Sequence, residues 1–308
     1  MDFFATILGI RTRDDDAMWE ELRQWLCGVG IKITVPDLKE LRILDLSHKN
    51  ITYIPPSFGL MVNLDELNLS YNRLSFIPDS VCQLVNLRTL NLSDNKLRTL
   101  SDSMCCLDNL CTINLSENQL ITLPDSFGNF INLERLYLYG NKLRTLPDSV
   151  CRLVNLRVLH LFDNKLCTVP DSVCQLVNLQ TLDLSSNLLS TLPDSLEQMV
   201  NLQTLDLTYN ELHALPVSVC RLTNLYYLNL NNNKIRIIPC SIRRLVNLRY
   251  LYLQDNPLVV ISFLISQCPM ENLYLSTNPS LKTLPVSLKG WIASGVLEGV
   301  AEDDVQWV

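Results

Sequence analysis

Residues 179–201 read LQTLDLSSNLLSTLPDSLEQMVN, and this segment decides how the rest of the chain is interpreted. Its 23-residue pattern, LxxLxLxxNxLxxLPxxhxxLxN with h for an apolar residue, restarts along most of the chain. Self-similarity at such a fixed period is typical of solenoids, so we number the copies one to eleven and the residues of each copy by position. Copies begin at Leu41, Leu64, Leu87, Leu110, Leu133, Leu156, Leu179, Leu202, Leu225 and Leu248, with an irregular eleventh near Met270.

The first half of each copy predicts a short strand. Side chains alternate along a strand, so Leu182 and Leu184 at positions 4 and 6 point to one side, and positions 3, 5 and 7 point to the other. No copy can bury its apolar side alone, so neighbouring copies must stack. The sequence therefore predicts an α/β solenoid: a right-handed horseshoe with a parallel β-sheet on the concave face and short helical or irregular convex segments.

Two asparagine columns and a Pro-Asp-Ser element recur with the leucines. The asparagine at position 9, found from Asn72 to Asn278, is predicted to bond backbone groups of neighbouring coils at the bend after the strand. The asparagine at position 23, from Asn63 to Asn247, is expected to close the loop back into the next strand. In Pro193-Asp194-Ser195 and its equivalents, Asp or Ser is expected to cap a short helical turn, which accounts for the stacked acids without calcium.

These copies resemble the typical 23-residue leucine-rich repeats of intracellular signalling scaffolds. The most similar groups are the Ras-pathway scaffolds, the Ras-suppressor proteins and the plant intracellular Ras-group repeat proteins. Their loop often reads LPxxIGxLxxL, and the equivalent loops here contain Leu192-Pro193-Asp194-Ser195 and Val173-Cys174-Gln175-Leu176. The resemblance covers about residues 41–291 and implies partner binding through the concave face, commonly in signalling. It specifies the fold more strongly than the function, because the matching residues are structural.

Both ends of a solenoid need a cover, since a terminal coil otherwise leaves an apolar layer in water. Residues 17–27 predict a helix with Trp19, Leu22, Trp25 and Leu26 on one face. We therefore expect an N-terminal helical cap at 1–40, a leucine-rich-repeat domain of about eleven copies at 41–291, and a C-terminal cap with an acidic tail at 292–308. An amphipathic membrane helix is the alternative for the first segment, although Glu20 and Glu21 lie on its polar face.

Composition narrows the class of protein. The formal net charge of −7 argues against a nucleic-acid-binding surface, which needs an excess of Lys and Arg. Residues 1–11 lack the basic, apolar and small-residue order of an export signal, and no segment has the roughly 18 apolar residues of a membrane span. We therefore expect a cytoplasmic, monomeric protein without a membrane span, and free thiols for its eleven cysteines.

The repeat explains five of the eleven cysteines. Five of them occupy position 19, which Gly59 and Gly128 share, so this position is interpreted as a tight packing site. A metal or redox role is the alternative, and Cys105, Cys106 and Cys111 are then the densest group. No cofactor or metal site is expected.

Function should lie at the variable positions of the concave face, and two groups of coils are distinctive there. Exposed aromatic side chains with Arg are the usual composition of a binding hot spot, and Tyr- and Asn-rich surfaces suit adaptable contacts. The alternative is that these rings only stabilise the sheet by cross-strand stacking. We define patch one, in coils five and six, as Arg135, Tyr137, Tyr139, Val158, His160, Phe162 and Asp163. We define patch two, in coils nine to eleven, as Tyr227, Asn229, Asn231, Tyr250, Tyr252, Gln254 and Tyr274.

Catalysis is not expected. His48, His160 and His213 match no metal motif, and the chain has no nucleophile turn and no phosphate loop. The predicted function is a non-catalytic protein-interaction module, a signalling scaffold. The alternative is an adaptor or a bacterial or viral effector that recruits a host protein, for example to a ubiquitin ligase. Basic residues such as Lys96, Arg98, Lys142 and Arg144 are expected to pair with acids of this chain.

Overall fold

The computed structural model describes residues 13–301, 303 and 305–308. Residues 1–11, on which the expectation of no export signal depends, lie outside the described residues, as do Glu302 and Asp304 of the predicted acidic tail. In the described part, β1 to β11 and β13 form one parallel sheet, and β12 pairs with β14. The strands are β1 (Ile43–Asp45), β2 (Glu66–Asn68), β3 (Thr89–Asn91), β4 (Thr112–Asn114), β5 (Arg135–Tyr137), β6 (Val158–His160), β7 (Thr181–Asp183), β8 (Thr204–Asp206), β9 (Tyr227–Asn229), β10 (Tyr250–Tyr252), β11 (Asn272–Tyr274), β12 (Thr283–Leu284), β13 (Leu297–Glu298) and β14 (Gln306–Trp307).

Helical elements lie at the two ends and on the side opposite the sheet. The α-helices are α1 (Arg13–Gly28), α2 (Val35–Lys39) and α3 (Lys289–Ala293). A 3-10 helix returns the chain in each of coils one to ten. These 3-10 helices are Pro56–Leu60, Asp79–Gln83, Asp102–Cys106, Asp125–Asn129, Asp148–Arg152, Asp171–Gln175, Asp194–Gln198, Val219–Arg221, Cys240–Arg244 and Phe263–Gln267, and Val286–Leu288 precedes α3.

The register of the sheet follows the sequence repeat. Leu182 of β7 pairs with Leu205 of β8, and each strand from β1 to β9 pairs in the same way with the residue 23 positions later. Leu182 and Leu184 are fully buried, whereas Thr181 and Asp183 are half-buried on the opposite face. The predicted solenoid, with its parallel sheet and short helical returns, is confirmed.

The asparagine ladder is also confirmed. The Asn164 side chain is 1% exposed, and its Oδ1 accepts a 3.0 Å hydrogen bond from the Leu143 amide. Its Nδ2 donates to the carbonyls of Leu138 and Leu161. Coil one has Lys49 at this position, so the ladder begins at Asn72, which accepts from the amides of Lys49 and Ile51.

The second asparagine column differs from its prediction. The Asn155 Nδ2 donates at 2.8 Å to the Ile131 carbonyl of the preceding coil, and Asn86 bonds Val62 in the same way. The column therefore joins coil to coil and does not close its own loop. Because these side chains are exposed, we expect each to contribute less than a buried position-9 asparagine.

The predicted capping role of the Pro-Asp-Ser element is wrong. Proline itself is the N-cap residue, as at Pro170, and Asp171 is already the first residue of the 3-10 helix. The Asp171 carboxylate instead accepts a hydrogen bond from the Ser195 hydroxyl of the next coil, and Asp148 accepts one from Ser172. The same bond joins Asp79 to Ser103 and Asp102 to Ser126, so four of the six stacked acids have a serine partner in the next coil, whereas the Ser149 hydroxyl after Asp125 has none among the described residues.

The helix predicted near the N-terminus is present as α1. Leu22 and Leu26 are fully buried, and the Trp25 ring meets the Phe58 ring of coil one edge-on, with 6.0 Å between centroids. The helix thus lies on the apolar layer of coil one, in a position that suits the predicted cap rather than a membrane helix.

At the other end the sheet continues past residue 291, because β13 pairs with β11. Residues 305–308 are also ordered against the solenoid, since the Val286 amide donates to the Val308 carbonyl. The division at residues 40 and 291 stays a prediction.

Candidate functional site

Most coils satisfy the polar groups of their exposed face locally. In coil seven, the Asp183 Oδ1 at position 5 accepts hydrogen bonds from the Ser185 amide at 3.0 Å and from the Ser185 hydroxyl at 2.6 Å. This turn has a structural role, because it fixes the chain where it leaves the strand. The same position-5 to position-7 bond joins Asp45 to Ser47, Asn68 to Ser70, Asn91 to Ser93, Asn114 to Ser116, Asp206 to Thr208 and Asn229 to Asn231.

Coils five and six replace this polar turn with aromatic rings. Tyr137 and His160, paired across β5 and β6, meet edge-on with 5.2 Å between ring centroids. The rings of Tyr139 and Phe162 stack almost parallel, with 4.4 Å between their centroids. All four rings are half-buried, so each keeps part of its surface in solvent.

The other members of patch one border these rings. Arg135 is exposed and lies 4.0 Å from Glu134, while Val158, its strand partner, is half-buried. Asp163 is exposed at position 8, where the backbone has a positive φ in every coil. The structure thus places all seven residues of patch one side by side.

Among the described coils, coil five alone has glycine at position 8, in the bend after the strand. Gly140 has φ +64, and a Cβ built there would lie 2.6 Å from the Glu117 carboxylate of coil four. The Glu117 side chain therefore lies directly above Gly140, at the border of patch one.

Patch two is a longer row of rings. The ring centroids of Tyr227 and Tyr252 lie 5.2 Å apart. Tyr252 stacks on Tyr274 with 4.6 Å between ring centroids and 7° between the ring planes. Asn231 and Gln254 bond each other through both the side-chain amide and the Gln254 backbone amide. The Tyr250 hydroxyl donates to Glu271 at 2.5 Å, and this bond raises the Tyr250 pKa.

Sequence reasoning missed three neighbours of patch two. Tyr226 at position 2 meets Tyr250 edge-on at 5.4 Å, so the row of rings reaches the flank of the sheet. Ser276 accepts a hydrogen bond from Gln254 at 2.7 Å. Asp206 lies on the other side, 3.4 Å from the Asn229 amide nitrogen. The sequence did not single out Asp206, because Asp also occupies position 5 in coils one and seven. What sets Asp206 apart from them is the burial of its carboxyl.

Burial perturbs the Asp206 carboxyl. Burial raises its pKa, as does the charge of Asp183 on the adjacent strand, while hydrogen bonds from Thr208 oppose the shift. Asp45 has the same position in coil one but is exposed, and its bonds from Ser47 lower its pKa. The two aspartates therefore have opposite effects on stability as a function of pH.

Replacing Asp206 with asparagine is expected to raise the melting temperature at neutral pH. A raised pKa in the folded state means that the ionised carboxylate destabilises the fold, and this penalty disappears as the pH falls below the ordinary Asp range. Asparagine keeps the Thr208 bond, as Asn229 does for Asn231. Thermal unfolding is measured from pH 3 to 8. The melting temperature of Asp206→Asn should exceed that of the wild type by an amount that shrinks on acidification, whereas the control Asp45→Asn should be less stable than the wild type at neutral pH.

Ring contacts across the strands occur in both patches, so the stacking interpretation describes a real contribution to the sheet. Stacking uses one face or edge of each ring and leaves the rest available. A pre-stacked ring also loses little conformational freedom on binding, because its neighbours already hold its rotamer. The rings can therefore stabilise the sheet and still bind a ligand.

The cysteines are free thiols in this structure. Burial raises the pKa of Cys105 to about 11, and it also raises those of Cys174 and Cys220. Position 19 is less uniform than predicted, since Glu197 also occupies it and reaches outward to Arg221. Among the described residues, no group of three His, Cys, Asp or Glu side chains could hold a metal ion. No helix in the described part of the chain is long and apolar enough to cross a bilayer.

Comparison with known proteins identifies the repeats. The family model for the leucine rich repeat matches residues 62–120, 122–166, 155–212 and 200–258, which together are more than half of the chain. The search of curated proteins found no significant match to this chain.

Solved structures give the same result for the fold. A leucine-rich-repeat protein of Leptospira interrogans is 28% identical over 88% of this chain and 72% of its own, with a TM-score of 0.68. The plant peptide hormone receptor RGFR1, solved with RGF2, is 28% identical over 77% of this chain and 38% of its own, with a TM-score of 0.63. TLR13, solved with the single-stranded RNA ssRNA13, is 27% identical over 87% of this chain and 41% of its own, with a TM-score of 0.69. This chain thus spans less than half of both receptor chains.

The repeat family typically provides non-catalytic interaction modules. With the 23-residue register, the asparagine ladder and the matching family model together, this chain belongs to the leucine-rich-repeat family.

Proposed function

We propose that this protein holds a protein partner on its concave face through patches one and two, as a non-catalytic, monomeric scaffold in cytoplasmic signalling. The observation that carries the proposal is the replacement of the local polar turn by half-exposed rings in coils five and six. Asp183 and Ser185 satisfy each other in coil seven, whereas Tyr139 and Phe162 present apolar surface at the same level of coils five and six. Half-exposed aromatic surface is unfavourable in water and favourable in an interface core.

The choice of a protein partner has two supports. Both patches combine rings with amide or charged groups, the composition that binds folded proteins and peptides. The receptor RGFR1, which shares the fold, was solved with RGF2. The Ras-type signalling role rests on the likeness of the repeats alone. An adaptor that recruits one protein to another is the second candidate, and α1 with its exposed Glu21 and Gln24 would be its second surface.

The test is affinity capture with three purified proteins. The wild type is compared with a variant carrying Tyr137→Ala, Tyr139→Ala and Phe162→Ala, and with a control carrying Phe76→Ala, Tyr209→Ala and Phe263→Ala. The control rings are 56%, 60% and 59% exposed and lie outside both patches.

We expect the patch-one variant to bind any partner of the wild type at least about tenfold more weakly, since two or three hot-spot rings are lost. The control should bind within about twofold of the wild type. Full affinity in the patch-one variant, with the fold intact by circular dichroism, would exclude patch one as the site.

A further inference from the structure

The expected pairing of the basic residues is wrong. None of the cations at positions 10 and 12 of coils two to six forms an ion pair with an acid among the described residues. All of them are exposed, and Arg98 has only a 3.4 Å bond to the neutral Gln119. We call this set the basic stripe: Arg73, Lys96, Arg98, Lys142, Arg144 and Lys165.

Elsewhere in the solenoid, several cations do pair with acids. Arg42, Arg221, Lys234 and Arg249 lie in other coils or at other positions, and each of them lies within 4 Å of an acid. At position 10 the stripe ends after coil six, where Leu188 and Glu211 follow. In a chain with a formal charge of −7, these unpaired cations form a local positive surface.

The stripe is built on rigid backbone. The Lys96 amide donates at 2.8 Å to the Leu74 carbonyl of the preceding coil, and the Lys142 amide donates at 2.9 Å to Leu120. Adjacent strands lie about 4.8 Å apart, so the four steps from coil two to coil six span about 19 Å, the length of roughly six extended residues. The stripe is therefore short enough for one extended segment to cover it.

The middle of the stripe is apolar. At position 12, Ile121 of coil four lies between Arg98 of coil three and Arg144 of coil five, and it is 54% exposed. A nucleic-acid backbone carries an uninterrupted row of phosphates and gains nothing from an apolar side chain at this point. Three carboxylates, those of Asp94, Glu117 and Asp163, border the stripe at position 8 and limit the positive surface to positions 10 and 12. A peptide can place an apolar residue between two acids.

We propose that the basic stripe binds an extended acidic segment of a partner protein, with one apolar side chain of that segment over Ile121. This surface lies where the chain leaves the strands, beside Tyr139 and Phe162, and it is distinct from the rings of the concave face. The proposal does not depend on the concave-face function, because its test uses a defined peptide.

The experiment measures fluorescence anisotropy with a labelled peptide of alternating Glu and Gly, about ten residues long with one central Leu, long enough to cover the stripe. The stripe variant carries Lys96→Gln, Arg98→Gln, Lys142→Gln and Arg144→Gln. The control carries Arg42→Gln, Arg221→Gln, Lys234→Gln and Arg249→Gln, so both variants lose the same total charge. A third protein carries Ile121→Ser.

We expect the stripe variant to bind the peptide at least about tenfold more weakly at low salt, and the control to stay within about threefold. Ile121→Ser should weaken binding severalfold. Three results would overturn the proposal: no peptide binding by the wild type, equal losses in both charge variants, or a tighter, Ile121-independent binding of a polyuridine strand or of phosphatidylserine vesicles that the stripe variant abolishes.

Discussion

Replacing Asn164 with alanine is expected to lower the free energy of unfolding by about 2–3 kcal/mol. The Leu143 amide has its hydrogen bond to the Asn164 Oδ1, and both groups are buried. Alanine would leave that amide unpaired, which costs about 1–3 kcal/mol, and the bonds from Nδ2 are lost in addition. The carbonyls of Leu138 and Leu161 suffer less, since each also accepts from the asparagine of a neighbouring rung, Asn141 or Asn187.

Urea-induced unfolding of the whole chain measures the free energy of unfolding, and Asn155→Ala is the matched control. Asn155 also bridges two coils, but it is exposed and makes a single bond to Ile131. Water can replace that bond, so we expect a loss of less than about 1 kcal/mol. If the two substitutions cost the same, the ladder is not the stabilising element that its burial implies.

Gly128→Ala is expected to destabilise the protein by a similar amount, about 2–3 kcal/mol, for a steric reason. A Cβ at Gly128 would lie 2.2 Å from the Ser149 carbonyl oxygen of the next coil. That atom is backbone in the adjoining 3-10 helix, so the two coils would have to separate.

Gly290→Ala is the control for the loss of a glycine. Gly290 lies in α3, and an added Cβ would meet nothing within 4 Å. Since alanine restricts the unfolded chain more than glycine does, we expect a gain of about 0.5 kcal/mol in thermal or urea unfolding. Equal effects at the two glycines would contradict the packing argument.

The fold was predictable because the repeat exposes its own constraints. An apolar residue at position 4, leucine at position 6 and, from coil two onward, asparagine at position 9 have the same role in successive coils, so each copy supports the same interpretation. The direction of individual polar bonds was not predictable. Asp171 follows a proline in a way that suggests a cap, yet its carboxylate accepts a hydrogen bond from the hydroxyl of Ser195, 24 residues later.

The placement of both patches on the exposed face was predictable from the sequence, but the electrostatic interactions around them were not. Alternation places Tyr137 and Phe162 on the exposed face, and the register then brings their neighbours together. Whether a cation such as Lys142 finds an acid depends on distances of a few ångströms between coils, which sequence spacing does not supply. The basic residues were therefore predictable from the sequence, but their lack of acid partners was not.

The most direct measurement is hydroxyl-radical footprinting of the complex with a captured partner, because tyrosine and phenylalanine rings report their own solvent exposure. We expect protection of Tyr137, Tyr139 and Phe162 on binding, and unchanged oxidation of Tyr209, which is 60% exposed outside both patches. Protection confined to the convex 3-10 helices, with the rings of patches one and two oxidised as in the free protein, would contradict the concave-face account.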